Sequence, residues 1–412
     1  MEKRCYMAAE ALIYITYTAI ILLLGVVCIL ISQKIKIPSV LLLILAGIAL
    51  SKIKLIGFPE IFLTTIGILA LVMIAFDSAS RLKLKAFGSL SLNALKLTAV
   101  SLALNSIFLA IFTKFILKID SMLLVFLFAV LMSNTDFDIA TAILGRVKNR
   151  VFRLLEAESL INTPLIVLLP FIILDLVDYV KPGLTPGNIF TSSFLGSFLL
   201  GLITGIGAGI LVGIVIFKVV RKAYSGILIP LVLITAALLA YILAENLGGN
   251  GVLAVMIMGL FFGNVYVKKE TELMEFSAAF ADFVEIFVFV LVGLTIGAAL
   301  NFSLIFILKS LLLFFIYLAI RYISVHISLM NGGFSEKEKV FMALNMPKGI
   351  AVAVIVFSLT AFKIAEKTTL NNIAGLSEAL SMVLLFMLYS IIISTICIKL
   401  SRHFLKIDAK RN

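Results

Sequence analysis

The sequence predicts an all-α, polytopic membrane protein with about thirteen transmembrane helices. Three observations carry that prediction. Of 412 residues, 62% are hydrophobic and 14% charged, whereas a soluble domain is about a quarter charged and about half apolar. The mean hydropathy is +1.22. Apolar runs recur from end to end, most of them near the roughly 20 residues that cross a hydrocarbon core about 30 Å thick. Lipid offers no partner to backbone N–H and C=O groups, so such runs must be helices; the alternating pattern of a membrane barrel is absent.

The predicted spans are 8–32, 38–51, 59–77, 92–117, 121–145, 151–178, 190–218, 226–246, 250–267, 276–299, 302–325, 339–362 and 375–400. The first is too long for a signal-peptide core and lacks a convincing cleavage site. The second is short for a crossing and should be tilted or distorted. Lys96 in the fourth span and Lys309 in the eleventh can snorkel toward an interface. Turn residues punctuate the connections, as at Lys181-Pro182-Gly183 and Asn331-Gly332-Gly333. No hydrophilic loop exceeds about fifteen residues, which disfavours a separate soluble domain and gating by a nucleotide-binding domain.

The fifth span carries Ser133-Asn134-Thr135-Asp136-Phe137-Asp138. Asn and Asp compete for nearby backbone groups, so this stretch reads as an interrupted helix at membrane depth; the bland reading is a helix that ends early in a cytoplasmic loop. In the sixth span Glu158 and Asn162 are four apart on one face, Asn162 and Thr163 fall near the midplane, and Pro164 can bend the helix there. The tenth span holds Asp282 and Glu285, and a carboxylate so placed must be paired, protonated or facing water. Arg321 in the eleventh span can neutralise Glu156 or Glu158. Lys348, between Pro347 and Gly349 in the twelfth, marks a second interruption. One interrupted helix in each half points to inverted repeats, the fourth to sixth and eleventh to thirteenth spans forming the paired units, and to a secondary transporter.

The formal charge of +12 lies in short basic clusters between apolar runs, which is the pattern of cytoplasmic loops and argues against nucleic-acid binding. With loops after odd-numbered spans and the C-terminus counted together, that side holds 21 Lys and Arg against 9 opposite, placing the N-terminus outside and the C-terminus in the cytoplasm of a cell membrane. Cys5, Cys28 and Cys397 form no metal-ligand or disulfide pattern, and His326 and His403 alone cannot build a zinc or haem site. No Walker loop suggests ATP-driven pumping. No cofactor is implied, and the chain does not read as an enzyme.

At these residues the chain resembles the sodium/proton antiporters of the monovalent cation–proton antiporter superfamily, in its prokaryotic thirteen-helix branch. Thr135-Asp136 is similar to the Thr-Asp motif of that family's first crossing helix. Leu155-Glu156-Ala157-Glu158-Ser159-Leu160-Ile161-Asn162 is similar to its Glu-x-Glu-Ser-x-x-Asn segment. Asn345-Met346-Pro347-Lys348-Gly349 is similar to its Gly-Pro-Arg-Gly segment, with lysine for arginine. The resemblance implies two crossed, interrupted helices and a core domain, here about 92–178 and 302–400, moving against a scaffold and dimerisation domain of about 8–77 and 190–299. It implies a homodimer in the lipid bilayer that exchanges Na+ or a similar monovalent cation for H+. Thr135, Asp136, Glu158 and Asn162 would surround the ion, and Arg321 would fill the family's basic position.

Three departures stand out. Where the family has an ion-binding Asp after the Asn, this chain has Thr163; the proline after Thr-Asp is Phe137; and Glu285 stands where a basic residue is often found. An acid lost at 163 and gained at 285 points to a relocated ion-binding carboxylate, with Asp138 another position for it. The expected mechanism is alternating access, with a proton and a dehydrated cation competing for one carboxylate among oxygens of Thr135, Asn162, Thr163 and freed carbonyls. The rival readings are a potassium efflux or channel-like relative, and an exchange-inactive homologue acting as sensor or scaffold.

Overall fold

Inside a bilayer a backbone must satisfy its own hydrogen bonds, and the apolar runs of this chain do so as helices. The computed structural model describes residues 2–35, 37–53, 57–82, 89–137, 140, 149–179, 192–222, 229–265, 283–294, 297, 303–330, 332–364 and 375–405. In chain order the helices are α1 (Glu2–Ile35), α2 (Ser39–Ile53), α3 (Glu60–Ser80), α4 (Ser89–Leu104), a π-helical turn (Asn105–Leu109), α5 (Ala110–Leu117), α6 (Met122–Met132), α7 (Arg150–Tyr179), α8 (Ser192–Lys222), α9 (Ile229–Asn246) and α10 (Gly251–Val265). There follow α11 (Phe283–Leu294), α12 (Leu304–Ser328), α13 (Glu336–Leu344), α14 (Ile350–Ile364), α15 (Leu376–Lys399) and the short α16 (Ser401–Phe404). No strand occurs among the described residues.

Among the described residues, 7 helices are long and apolar enough to cross a membrane: Leu12–Ile35, Glu60–Ser80, Leu92–Leu117, Arg150–Leu174, Phe198–Ile216, Leu304–Ser328 and Leu376–Lys399. The shorter apolar helices are Ser39–Ile53, Met122–Met132, Leu231–Asn246, Gly251–Asn264, Phe283–Leu294 and Ile350–Thr360. Every predicted span overlaps one of these helices. The second is short as expected, at 15 residues. The fourth span runs through the π-helical turn rather than as one regular helix. In the fifth the first helix ends at Met132, residues 134–137 are non-helical, and Ala140 is helical again.

Local sequence sets several ends. The Ser121 and Ser303 hydroxyls accept from the Leu124 and Phe306 amides, and Ser335 with Glu338 forms a capping box on α13. Lys118 closes α5 in the left-handed conformation at φ 57. On the same face as the capping box, Arg150 at the start of α7 grips Glu338 at 3.1 and 2.7 Å and bonds the Gly333 carbonyl at 2.9 Å, tying α7 to α13.

Lipid tails are as apolar as leucine, so helices here associate through close packing of small residues rather than by escape from water. α3 lies at the centre, against α7, α9, α10 and α14. α8 meets α10 through Gly205 and Gly209, whose Cα atoms back onto the Asn250 and Ala254 carbonyls. α10 meets α3 where Gly259 and Gly263 approach the Phe76 and Ser80 carbonyls. α2 meets α11 at Gly47 and Gly293. A methyl at Gly209 would strike backbone, which cannot rotate aside. Gly209→Ala should therefore destabilise the fold by about 1–3 kcal/mol. Gly207→Ala, with nothing within 4 Å, should be neutral or slightly stabilising. Thermal melts followed by circular dichroism separate the two.

Candidate functional site

Two unwound segments meet in the middle of the bundle. α6 is apolar from Met122 to Met132 and ends in a tightened turn, with the Ser133 amide on the Val130 carbonyl (2.9 Å) and the Ser133 hydroxyl on the Ala129 carbonyl (3.1 Å). Residues 134–137 are then non-helical, and Ser133, Asn134 and Thr135 are buried. The bland reading of this stretch as an exposed loop does not fit that burial. The second segment, 345–349, separates α13 from α14 and is buried throughout. The two are joined backbone to backbone: the Asp136 amide donates to the Pro347 carbonyl at 2.9 Å. The half-buried Asp136 carboxylate lies against Gly349, where any β-carbon would coincide with it.

α7 supplies the wall. Asn162, 2% exposed, donates from Nδ2 to the Ser133 carbonyl at 2.7 Å and to Thr135 Oγ1 at 3.4 Å. One turn back, the Ser159 hydroxyl accepts from the Phe137 amide at 3.3 Å, and the Thr163 hydroxyl donates to the Ser159 carbonyl at 2.8 Å. Pro164 removes the helical donor that would reach the Leu160 carbonyl. Thr135, Asp136 and Asn162 are therefore gathered around one crossing, while the Thr163 hydroxyl is bonded within its own helix.

Glu158 faces the other side of this wall and is fully buried. Arg321 of α12 clasps both its oxygens at 2.6 and 2.8 Å, and the same guanidinium donates to Ser101 of α4 at 2.9 Å. The forked geometry suits a carboxylate taken out of water. Glu156 is exposed on α7 and takes no part in the pair. Lys348 is buried in the second segment; its amide donates to Ser390 of α15 at 3.1 Å, and its ammonium reaches the Met132 carbonyl (2.6 Å), the Asn134 carbonyl (2.5 Å) and the Tyr317 hydroxyl (2.5 Å). Asn345 ends α13 and accepts a short hydrogen bond from Ser394.

Glu285 lies elsewhere in the bundle. It is half-buried on α11 and accepts from Ser39, the first residue of α2, at 3.3 Å. α11 is the helix that packs on α1 and α2 through Ile286 and Gly293, so this carboxylate belongs to that helix interface. Asp138 and Asp282 fall outside the described residues. Lys96 is exposed and Lys309 half-buried. Ser101, Ser159, Tyr317 and Ser390 were not legible as site residues from sequence. Tyr317 alone carried a signal, standing four residues before Arg321 on the same helix face.

The transmembrane sodium/hydrogen exchanger family matches residues 19–400 of the chain. Among curated proteins, Na(+)/H(+) antiporter 1 of Methanocaldococcus jannaschii is 25% identical over 365 residues, covering 84% of this chain and 83% of the relative. The solved structure of the sodium proton antiporter MjNhaP1 from the same organism at pH 8 superposes with a TM-score of 0.74 over 97% of this chain and 100% of that one, at 20% identity. An electron-microscopy structure of MjNhaP1 gives 0.72 at 21% identity, over 97% and 99%. These structural likenesses establish a shared fold.

Proposed function

This chain belongs to the sodium/hydrogen exchanger family, and we propose that it exchanges a monovalent cation, Na+ foremost, for protons by alternating access, with Asp136 as the ionisable group of the exchange site. The observation that carries the assignment is the position of Asp136, in a buried unwound segment, pinned by its amide to Pro347 and set beside Gly349, Thr135 and Asn162. Two other acids among the described residues are differently engaged. Both oxygens of Glu158 are held by Arg321, and Glu285 accepts from Ser39 on α2.

A carboxylate bound to a proton cannot also bind Na+, and this exclusion couples the two fluxes. Na+ is a hard cation that takes oxygen ligands. Around Asp136 these are the Thr135 hydroxyl, Asn162 Oδ1, the Thr163 hydroxyl and carbonyls released by the interrupted helices. Thr163 supplies an uncharged oxygen where the family carries its ion-binding acid, so the exchange carboxylate is displaced from α7 to the first crossing segment. The core helices of about 92–178 and 302–400 move the site past the scaffold of about 8–77 and 190–299. The basic loops favour a cell-membrane protein with the N-terminus outside, and family likeness favours a homodimer.

The test is cation-driven proton movement in proteoliposomes, comparing Na+, Li+ and K+ across pH. Wild type should give saturable, cation-dependent flux, and Asp136→Asn should abolish it while the protein still melts cooperatively. Flux carried by Asp136→Asn but lost in Glu285→Gln would move the carboxylate to α11. Folded wild type that moves no protons with any of these ions would overturn exchange and leave a sensor or scaffold. Conductance without coupling would indicate a channel-like relative.

A further inference from the structure

The exchange mechanism above makes no use of Lys348, with Arg321 one of the two most deeply buried cations among the described residues. At 0% exposure its ammonium presents three N–H donors and meets three oxygens: the Met132 carbonyl at 2.6 Å, the Asn134 carbonyl at 2.5 Å and the Tyr317 hydroxyl at 2.5 Å. The count matches, donor for acceptor. None of these oxygens carries a formal charge, although a buried cation ordinarily takes a carboxylate. The nearby buried acid, Glu158, is committed to Arg321 through both oxygens.

Each of the three oxygens is where a cation is favoured. Met132 is the last residue of α6, so its carbonyl belongs to the final turn that lacks helical donors and forms the negative end of the helix dipole. Asn134 lies in the non-helical stretch just beyond, and its buried side-chain Oδ1 has no hydrogen-bond partner among the described residues. Tyr317 adds its hydroxyl and, 4.6 Å from the ammonium to the ring centroid, the edge of an aromatic cloud. Carbonyls at a helix break plus a hydroxyl are the ligand set that membrane proteins offer to alkali ions.

We propose that the Met132 and Asn134 carbonyls and the Tyr317 hydroxyl form a second monovalent-cation site, whose resident ion is the ammonium of Lys348. The inference rests on reading the crossing as the exchange site. A tethered ion holds the break of α6 against the break between α13 and α14, and so sets Asp136 in place without itself being transported. Lys348 is a positioning residue. While its ammonium is present, the exchanged ion is confined to the Thr135, Asp136 and Asn162 side of the crossing. Once the side chain is cut back, the three oxygens accept a free cation of ammonium size, such as ammonium itself, an alkylammonium or K+. Arginine is a poor substitute, since a planar fork cannot converge on three oxygens gathered around a point.

The experiment is chemical rescue of Lys348→Ala, with the full chain purified in detergent. The variant should melt below wild type in tetramethylammonium chloride, an ion with no N–H donor. Ammonium or n-propylammonium should raise its midpoint saturably, and wild type, whose site is filled, should not respond. In proteoliposomes the same amines should restore the Na+-driven proton flux that the variant has lost, a recovery a purely structural defect would not show. Folding of Lys348→Ala only when amine is present throughout purification would support the site equally. A variant that melts alike in every salt, or fails to fold alike with and without amine, overturns it; so does Lys348→Met melting and exchanging like wild type. If wild type exchanges nothing, the exchange reading falls, while the melting comparison still decides the cation site.

Discussion

Arg321→Ala should lose most of its folded population, the largest stability effect expected of any single substitution in this chain. Arg321 and Glu158 are 1% and 0% exposed, joined at 2.6 and 2.8 Å, with Ser101 on the same guanidinium at 2.9 Å. Removing the arginine leaves a carboxylate deep in the bundle with its partner gone. Breaking such a pair costs about 3–5 kcal/mol, against total stabilities of about 5–15 kcal/mol for folded domains. Arg321→Lys keeps the charge but loses the fork, and should fall between. The double variant Glu158→Leu with Arg321→Met removes both charges, and should recover much of the loss, because apolar replacement of a buried pair is often neutral or better. Ser101→Ala should cost only about 1 kcal/mol. Helical circular dichroism against temperature gives the ranking. Arg321→Ala melting with wild type would mean that the pair contributes nothing net, and the large penalty argued for a lone Glu158 would be wrong.

The choice between Glu156 and Glu158 as that partner shows what the sequence holds. Two residues apart on a helix, they point about 200° apart around its axis, so one must face away from the core. Val151, Leu154, Leu155, Glu158, Ile161 and Asn162 recur at the spacing of one face, and all six are buried. That pattern, read along α7, singles out Glu158. The interrupted helices were equally legible, since Ser133–Asp136 and Asn345–Gly349 break otherwise apolar runs. What periodicity could not reveal was partnership across the chain. Lys348 is satisfied by two backbone carbonyls and by a tyrosine 31 residues away, and carbonyls have no signature in a sequence. Glu285 attracted attention for the opposite reason. An acid in an apolar run demands a partner, but a serine at the start of a distant helix supplies one, and no spacing rule connects 39 with 285.

Gly349→Ala should abolish exchange, and the reason lies in what gives way. A β-carbon at 349 would coincide with the carboxylate of Asp136. The backbone of Asp136 is pinned to the Pro347 carbonyl at 2.9 Å, so it cannot retreat. Rotating its side chain carries the carboxylate out of the crossing, but the Asp136 β-carbon, 2.6 Å from the added methyl, is fixed by that backbone, so the two segments must also part. Gly293 makes the contrast: there an added methyl would strike the Ile44 carbonyl, and only separation of α2 from α11 makes room. Gly293→Ala should therefore lower the melting temperature, with an overpacking cost of about 1–3 kcal/mol. Gly349→Ala should lower the melting temperature comparably and, unlike Gly293→Ala, lose Na+-driven proton flux in proteoliposomes. Combining Gly349→Ala with Asp136→Asn should do no further harm to flux, since both act on one carboxylate and such effects do not add. A Gly349→Ala protein that exchanges with the wild-type rate and Na+ dependence would show that the carboxylate need not sit where the two unwound segments meet, and Asp136 would lose its claim to the site.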